Sequence, residues 1–159
     1  MIKEIKKNKG FVILFAVTLS AILLSIALGV ANIALKEIRF GTSAKDTNNA
    51  FFAADTGAEC ALVNDKYSSI SFVKIGGSGT VRCMGNNIAI SGVFPSWNFV
   101  VSGLGSSGVS CANVSVFKDD VTRAPSIITT IISKGYNIGD AACLSSNPDR
   151  IEREILVSY

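Results

Sequence analysis

FVILFAVTLSAILLSIALGVANIAL, residues 11 to 35, is the stretch from which the rest of the chain is read. It holds no charged residue, and only Thr18, Ser20, Ser25, Gly29 and Asn32 fall outside the hydrophobic set. As a helix rising about 1.5 Å per residue it is about 37 Å long, enough for a bilayer core of about 30 Å. Before it stands MIKEIKKNKG, whose Lys3, Lys6, Lys7 and Lys9 against Glu4 leave a charge of +3, the charge of the whole chain. The other 149 residues therefore sum to zero. That argues against a basic nucleic-acid face, and no nucleic-acid partner is expected. By the positive-inside rule the N-terminus is cytoplasmic and the chain beyond Leu35 lies outside. Composition agrees, because 159 residues with 17% charged positions and a mean hydropathy of +0.43 describe one domain only part of which is solvated as a globule.

Three readings compete for this segment. Gly29 and Ala31 supply small residues at the spacing of a secretory-leader cleavage site, although the apolar run is longer than such leaders carry. A plain signal anchor holding an external domain fits the length. The third reading rests on the junction KNKG followed by Phe11: a short basic peptide ending in glycine, then an aromatic residue opening an apolar helix, resembles a type IV prepilin leader.

The residues downstream bear on the choice. Phe40, Ala44, Thr47, Phe51, Ala54, Ala58 and Ala61 step by alternating four and three, which places them in one packing stripe on a helix. No proline occurs before Pro95, so the apolar helix is expected to continue as an amphipathic one, residues 36 to 65, ending about Leu62 or Asp65. Gly41, Gly57, Asn48 and Asn49 are weak helix formers, read as soft points. Locally, such a stripe is accounted for by a core helix and does not by itself imply a partner.

Ala50-Phe51-Phe52-Ala53-Ala54-Asp55-Thr56-Gly57-Ala58-Glu59-Cys60-Ala61-Leu62 resembles the A-F-x-A-A-E-x-A-L signature that follows the hydrophobic helix in PilX-type minor pilins and related pilin-like proteins. Leader, unbroken helix and signature together cover residues 1 to 65. The resemblance implies cleavage by a prepilin peptidase between Gly10 and Phe11, methylation of the new amine, and assembly with other pilin-like subunits through the helix. Two positions depart from the pattern. Asp55 replaces a glutamate, and Phe15, fifth in the mature chain, stands where most pilins carry a glutamate that pairs with a neighbour's terminal amine.

From Tyr67 the pattern becomes strand-like, with expected strands at 70–75, 80–84, 98–104, 109–118, 125–134 and 151–159 and turns at Gly76 to Gly79 and Gly103 to Gly108. The 94 residues from Lys66 onward form a small exported β-rich head that gains most of its core by laying its sheet on the helix stripe. The expected fold is thus α+β: a long N-terminal helix, membrane-spanning in its first half, on a small antiparallel sheet, a pilin-like lollipop. Cys60, Cys83, Cys111 and Cys143 all follow the apolar segment, at spacings of 23, 28 and 32 with no histidine in the chain, so disulfides are favoured over a metal site. Of three connectivities, Cys60 with Cys83 and Cys111 with Cys143 is preferred, because it staples helix to first strand and mid-sheet to final loop. Free buried cysteines are the alternative.

Enzymatic readings find little support. Without histidine the common proton relays are missing. Asp119 and Asp120 are neighbours that point different ways, and Glu152 and Glu154 alternate with Arg153 on a charged outer strand face. Trp97, near Pro95 and Phe99, is read as half-buried core packing in preference to an exposed aromatic contact. The sequon Asn113-Val114-Ser115 is too frequent by chance to carry a function. No cofactor is expected, and the chain is read as a non-enzyme. Two function classes remain: a minor pilin-like subunit of a type IV pilus or type II secretion pseudopilus, at or near the tip, and a single-span membrane-anchored binding domain with no filament role. The first places the protein in the inner membrane, then in a surface filament.

Overall fold

The computed structural model describes residues 9–67, 71–73, 79–119 and 127–159. Most of the basic leader lies outside the described residues, as does the expected turn at Gly76 to Gly79 except for Gly79 itself. One helix, α1 (Lys9–Lys66), runs without a break through Gly41, Asn48, Asn49 and Gly57. The chain divides into two units, Met1–Ser43 and Ala44–Tyr159.

In the first unit every side chain from Phe11 to Ser43 is exposed. The helix is long and apolar enough to cross a membrane once, and none of its most apolar stretch is buried within the protein. Hydroxyls inside this stretch are satisfied by the preceding turn: Thr18 Oγ1 donates to the Leu14 and Phe15 carbonyls, Ser20 Oγ to Val17 and Ser25 Oγ to Ala21. A segment whose backbone and hydroxyls bond to themselves can enter hydrocarbon without orphaning those groups.

The second unit is α+β. Strands β3 (Ser91–Val93), β4 (Ser96–Leu104), β5 (Ser110–Asp119), β6 (Ile128–Tyr136) and β7 (Glu152–Ser158) form an antiparallel sheet in that order. A separate hairpin joins β1 (Thr80–Cys83) and β2 (Asn86–Ala89). Strands β4 to β7 stand where expected within three residues at each described end. Of the expected strand at 70–75, Ser71 to Val73 are described and are not strand. Instead Phe72 is 2% exposed and packs edge-on to Trp97 and stacked on Phe99, ring centroids 5.8 and 6.2 Å away. Strands β2 and β3 were not expected. The first strand ends at Cys83, not Met84, because Met84 (φ 49°) and Gly85 (φ 82°) make a two-residue turn of the kind that asparagine and glycine usually signal.

The core is graded in size across the sheet. Register aligns Phe99, Val114, Ser133 and Ile155 in one row and Val101, Ala112, Gly135 and Arg153 in the next. Strand β4 therefore supplies aromatic bulk, whereas β6 offers only Ser133 and Gly135 at the place where the helix passes. Opposite them α1 presents Ala50, Ala53, Ala54, Gly57, Ala58 and Ala61, all buried. A side chain on Gly135 would collide with the Ala50 carbonyl and the Ala54 backbone, and one on Gly57 would come within 2.5 Å of Ser133 Oγ and 2.7 Å of Val114 Cγ2. Gly57 is thus a packing requirement and not merely a soft point of the helix. Ala54, Ala58 and Ala61 of the expected stripe face the sheet. Phe51, Ala44 and Phe40 are exposed and Thr47 is half-buried, because a seven-residue repeat drifts about 20° per repeat on a straight helix. At that level Ala50 and Ala53 take the contact.

Gly135→Val should cost about 3 kcal/mol or more, since the obstructing atoms are backbone and have nowhere to move. Ser133 Oγ is buried without a hydrogen-bond partner, so Ser133→Ala should leave stability unchanged or raise it by about 1 kcal/mol. Urea unfolding of the detergent-solubilised chain, followed through Trp97 fluorescence, measures both; equal losses in the two variants would contradict this packing.

Candidate functional site

The site singled out by the sequence is the helix: its start, its exposed apolar length and the elements that grip its end. Gly10 lies in the first turn of α1, and Phe11 is 74% exposed. Phe15, one turn on, is also exposed, and no charged side chain follows until Lys36. In sequence the junction sets Gly10, which has no side chain, between a basic stretch and an apolar helix.

Three clamps, two polar and one covalent, hold the C-terminal end of the helix in the head. Asn64 donates from Nδ2 to the Arg82 carbonyl at 2.8 Å and accepts the Arg82 N–H at Oδ1, 3.0 Å, pairing with β1 as another strand would. Beside it, the Cys60–Cys83 disulfide joins the same helix turn to the same strand. Asp65 forms the third clamp. Its carboxylate meets Lys118 Nζ at 2.5 Å and accepts hydrogen bonds from Tyr159 Oη at 2.8 Å and Thr129 Oγ1 at 3.2 Å. Only 7% of the Asp65 side chain is exposed, and through these partners it reaches β5, β6 and the end of the chain. Lys66 Nζ covers the Tyr159 ring 4.4 Å from its centroid. Sequence reading did not find this cluster, because Tyr159 lies 94 residues from Asp65 and no local spacing announces the pair.

The Cys111–Cys143 disulfide ties mid-sheet to the loop between β6 and β7. Asn137 organises that loop, donating to the Asp149 carbonyl at 3.2 Å and accepting the Ile151 N–H at 2.7 Å. Arg150 lies over the Tyr136 ring at 3.6 Å and donates to the Cys143 carbonyl at 2.7 Å. On the outer sheet face Lys134 sits 3.3 Å from Glu152 and 3.4 Å from Glu154. Hydrogen bonds from Tyr136 and Lys134 hold the Glu152 carboxyl below its ordinary range despite partial desolvation. Trp97 is 5% exposed, a core residue. Asp119 ends β5, and Asp120 lies outside the described residues.

Comparison with protein families, curated proteins and solved structures gives no match for this chain.

Burial, and then the hydrogen bond to Asp65, push the Tyr159 hydroxyl above its ordinary value of 10.0. Its stabilising contribution is complete below about pH 10. It is lost as pH rises further, where the unfolded chain releases a proton that the folded chain keeps. Stability measured by urea unfolding should fall above pH 10, and Tyr159→Phe should make that fall shallower. Identical alkaline slopes in the two proteins would remove Tyr159 from the account.

Proposed function

We propose that this protein is a pilin-like subunit, assembled into a type IV pilus or a type II secretion pseudopilus through its N-terminal helix. The observation that carries the reading is a single helix whose first half is apolar and wholly exposed and whose second half is a small-residue face gripped by a disulfide-stapled sheet. A signal peptide removed near Ala31 would discard that helix from Lys9 to Ala31. A plain anchor needs the apolar half but gives no reason for the KNKG-Phe11 junction. The N-terminus is cytoplasmic, the head is exported, and the prepilin peptidase is the processing partner.

Phe15 assigns the subunit an accessory place. In the resembling family the glutamate at this position neutralises a neighbour's terminal amine, and an unpaired charge in apolar surroundings costs several kcal/mol. Phe15 offers no charge, so this subunit does little to hold a predecessor in register, yet its own Phe11 amine can still accept a glutamate from the subunit that follows. The tip is the place that requires only the second contact.

Intact mass and N-terminal sequencing of membrane-extracted protein should find a chain beginning at N-methylated Phe11. A mass retaining residues 1 to 10, or a chain beginning at Asn32, would overturn the reading. Quantitative mass spectrometry of sheared filaments should find the protein well below the major subunit; finding it the most abundant pilin would refute the accessory place.

A further inference from the structure

The helix leaves its apolar run through a basic face. Lys36, Arg39, Phe40 and Ser43 stand at spacings of three, four and seven, so they share one side of α1, and together they line an open hollow of about 520 Å³. Asn32 lies one turn below Lys36 on the same side. Glu37, about 100° around the helix from Lys36, does not line the hollow. Neither Lys36 nor Arg39 has a carboxylate partner among the described residues. Two cations thus face outward from one side of the helix with no anion to meet them among the described residues.

Their position along the axis names the counter-charge. Lys36 is the first charged residue after the 25-residue apolar run, and Arg39 lies about 6 Å beyond Leu35. A run of about 37 Å in a hydrocarbon core of about 30 Å brings both to the level of the lipid phosphates. Phe40, 75% exposed, and Ile38, 63% exposed, are apolar side chains at the same level, where the ends of the acyl chains offer them apolar contact.

We propose that this face binds the headgroup of an anionic phospholipid in the leaflet at the C-terminal end of the apolar run. The Arg39 guanidinium and Lys36 ammonium take the phosphate oxygens, the Asn32 carboxamide and Ser43 hydroxyl offer further hydrogen bonds, and the Phe40 ring packs on the glycerol end of the chains. A zwitterionic lipid brings a phosphate with its own cation attached, which competes with both basic groups, so the face selects net negative charge. The inference rests on the helix crossing the bilayer and is independent of cleavage or filament assembly.

The full chain in detergent, titrated with phosphatidylglycerol or with phosphatidylcholine of the same acyl chains and followed by native mass spectrometry, tests it. Phosphatidylglycerol should be retained preferentially. Lys36→Gln and Arg39→Gln should each weaken it about fivefold, and the double variant about twenty-five-fold. Lys45→Gln, which removes the same charge from the opposite side of the helix, should leave binding unchanged. Circular dichroism checks that each variant keeps its helix, as expected for substitutions on an exposed face. Equal retention of the two lipids, an equal loss in Lys45→Gln and Lys36→Gln, or displacement of the lipid by millimolar inorganic phosphate would each overturn the proposal. None of these outcomes would bear on whether the chain is cut after Gly10.

Discussion

The head depends on one close approach, that of the α1 backbone at Ala50 and Ala54 to the β6 backbone at Gly135. Helix and sheet usually meet through side chains of ordinary size, and such chains fix their separation. Here the helix carries alanine and glycine at every sheet-facing position from Ala50 to Ala61, and β6 answers with Ser133 and Gly135. Contact is therefore made largely by backbone and methyl groups. Little apolar area is buried per residue of helix, so the larger hydrophobic contribution must come from elsewhere. It comes from the β4 side, where Phe72, Trp97 and Phe99 fill the space that the helix does not occupy.

A contact built from small residues tolerates sliding better than an interdigitated one, and the clamps at the helix end remove that freedom. Asn64, Asp65 and the Cys60–Cys83 disulfide act within one and a half turns of helix, fixing it to β1, β5, β6 and the C-terminus. Together the clamps hold several strands, so the helix end cannot shift along the sheet without breaking all of them. Asn137 and the Cys111–Cys143 disulfide do the same for the long loop after β6, which carries no regular structure of its own. A head this small gains from such staples what a larger core would otherwise supply.

Much of this was legible in the sequence because it depends on short-range pattern. The charge-free run from Phe11 to Leu35, the absence of proline before Pro95 and the alternation along β4, β5 and β6 each report on a single element. The described strand ends moved by three residues at most. What was missed depends on partners distant in sequence or on unusual turn chemistry. Strand β2 opens with Asn86 and Asn87 and follows a turn with Met84 at positive φ, so neither its composition nor its turn announced a hairpin. The stripe placed Phe51 on the sheet because its stepping was regular in the sequence, whereas the helix obeys 3.6 residues per turn and rotates Phe51 outward. The clamp at Asp65 could not be read locally, since its partners Lys118, Thr129 and Tyr159 are gathered only by the completed sheet.

That rotation has a consequence for the outside of the head. Phe51 and Phe52, turned away from the sheet, are 47% and 62% exposed and pack edge-on against each other with ring centroids 5.9 Å apart. Met84, at the tip of the β1–β2 hairpin, is 67% exposed, and with Phe52 it helps to line a shallow pocket bounded by Asn49, Thr56 and Ser106. Apolar groups set among amides and hydroxyls are poorly suited to lipid, which would strand the polar ones, and poorly suited to water, which would strand the rings. A protein surface with its own mixture of polar and apolar groups satisfies both. Under the filament reading, the first half of the helix is covered by lipid until assembly and by neighbouring helices afterwards, whereas the Phe51–Phe52 surface acquires a cover only on assembly. On that reading the exposed rings favour a subunit placed within an assembly over one standing alone.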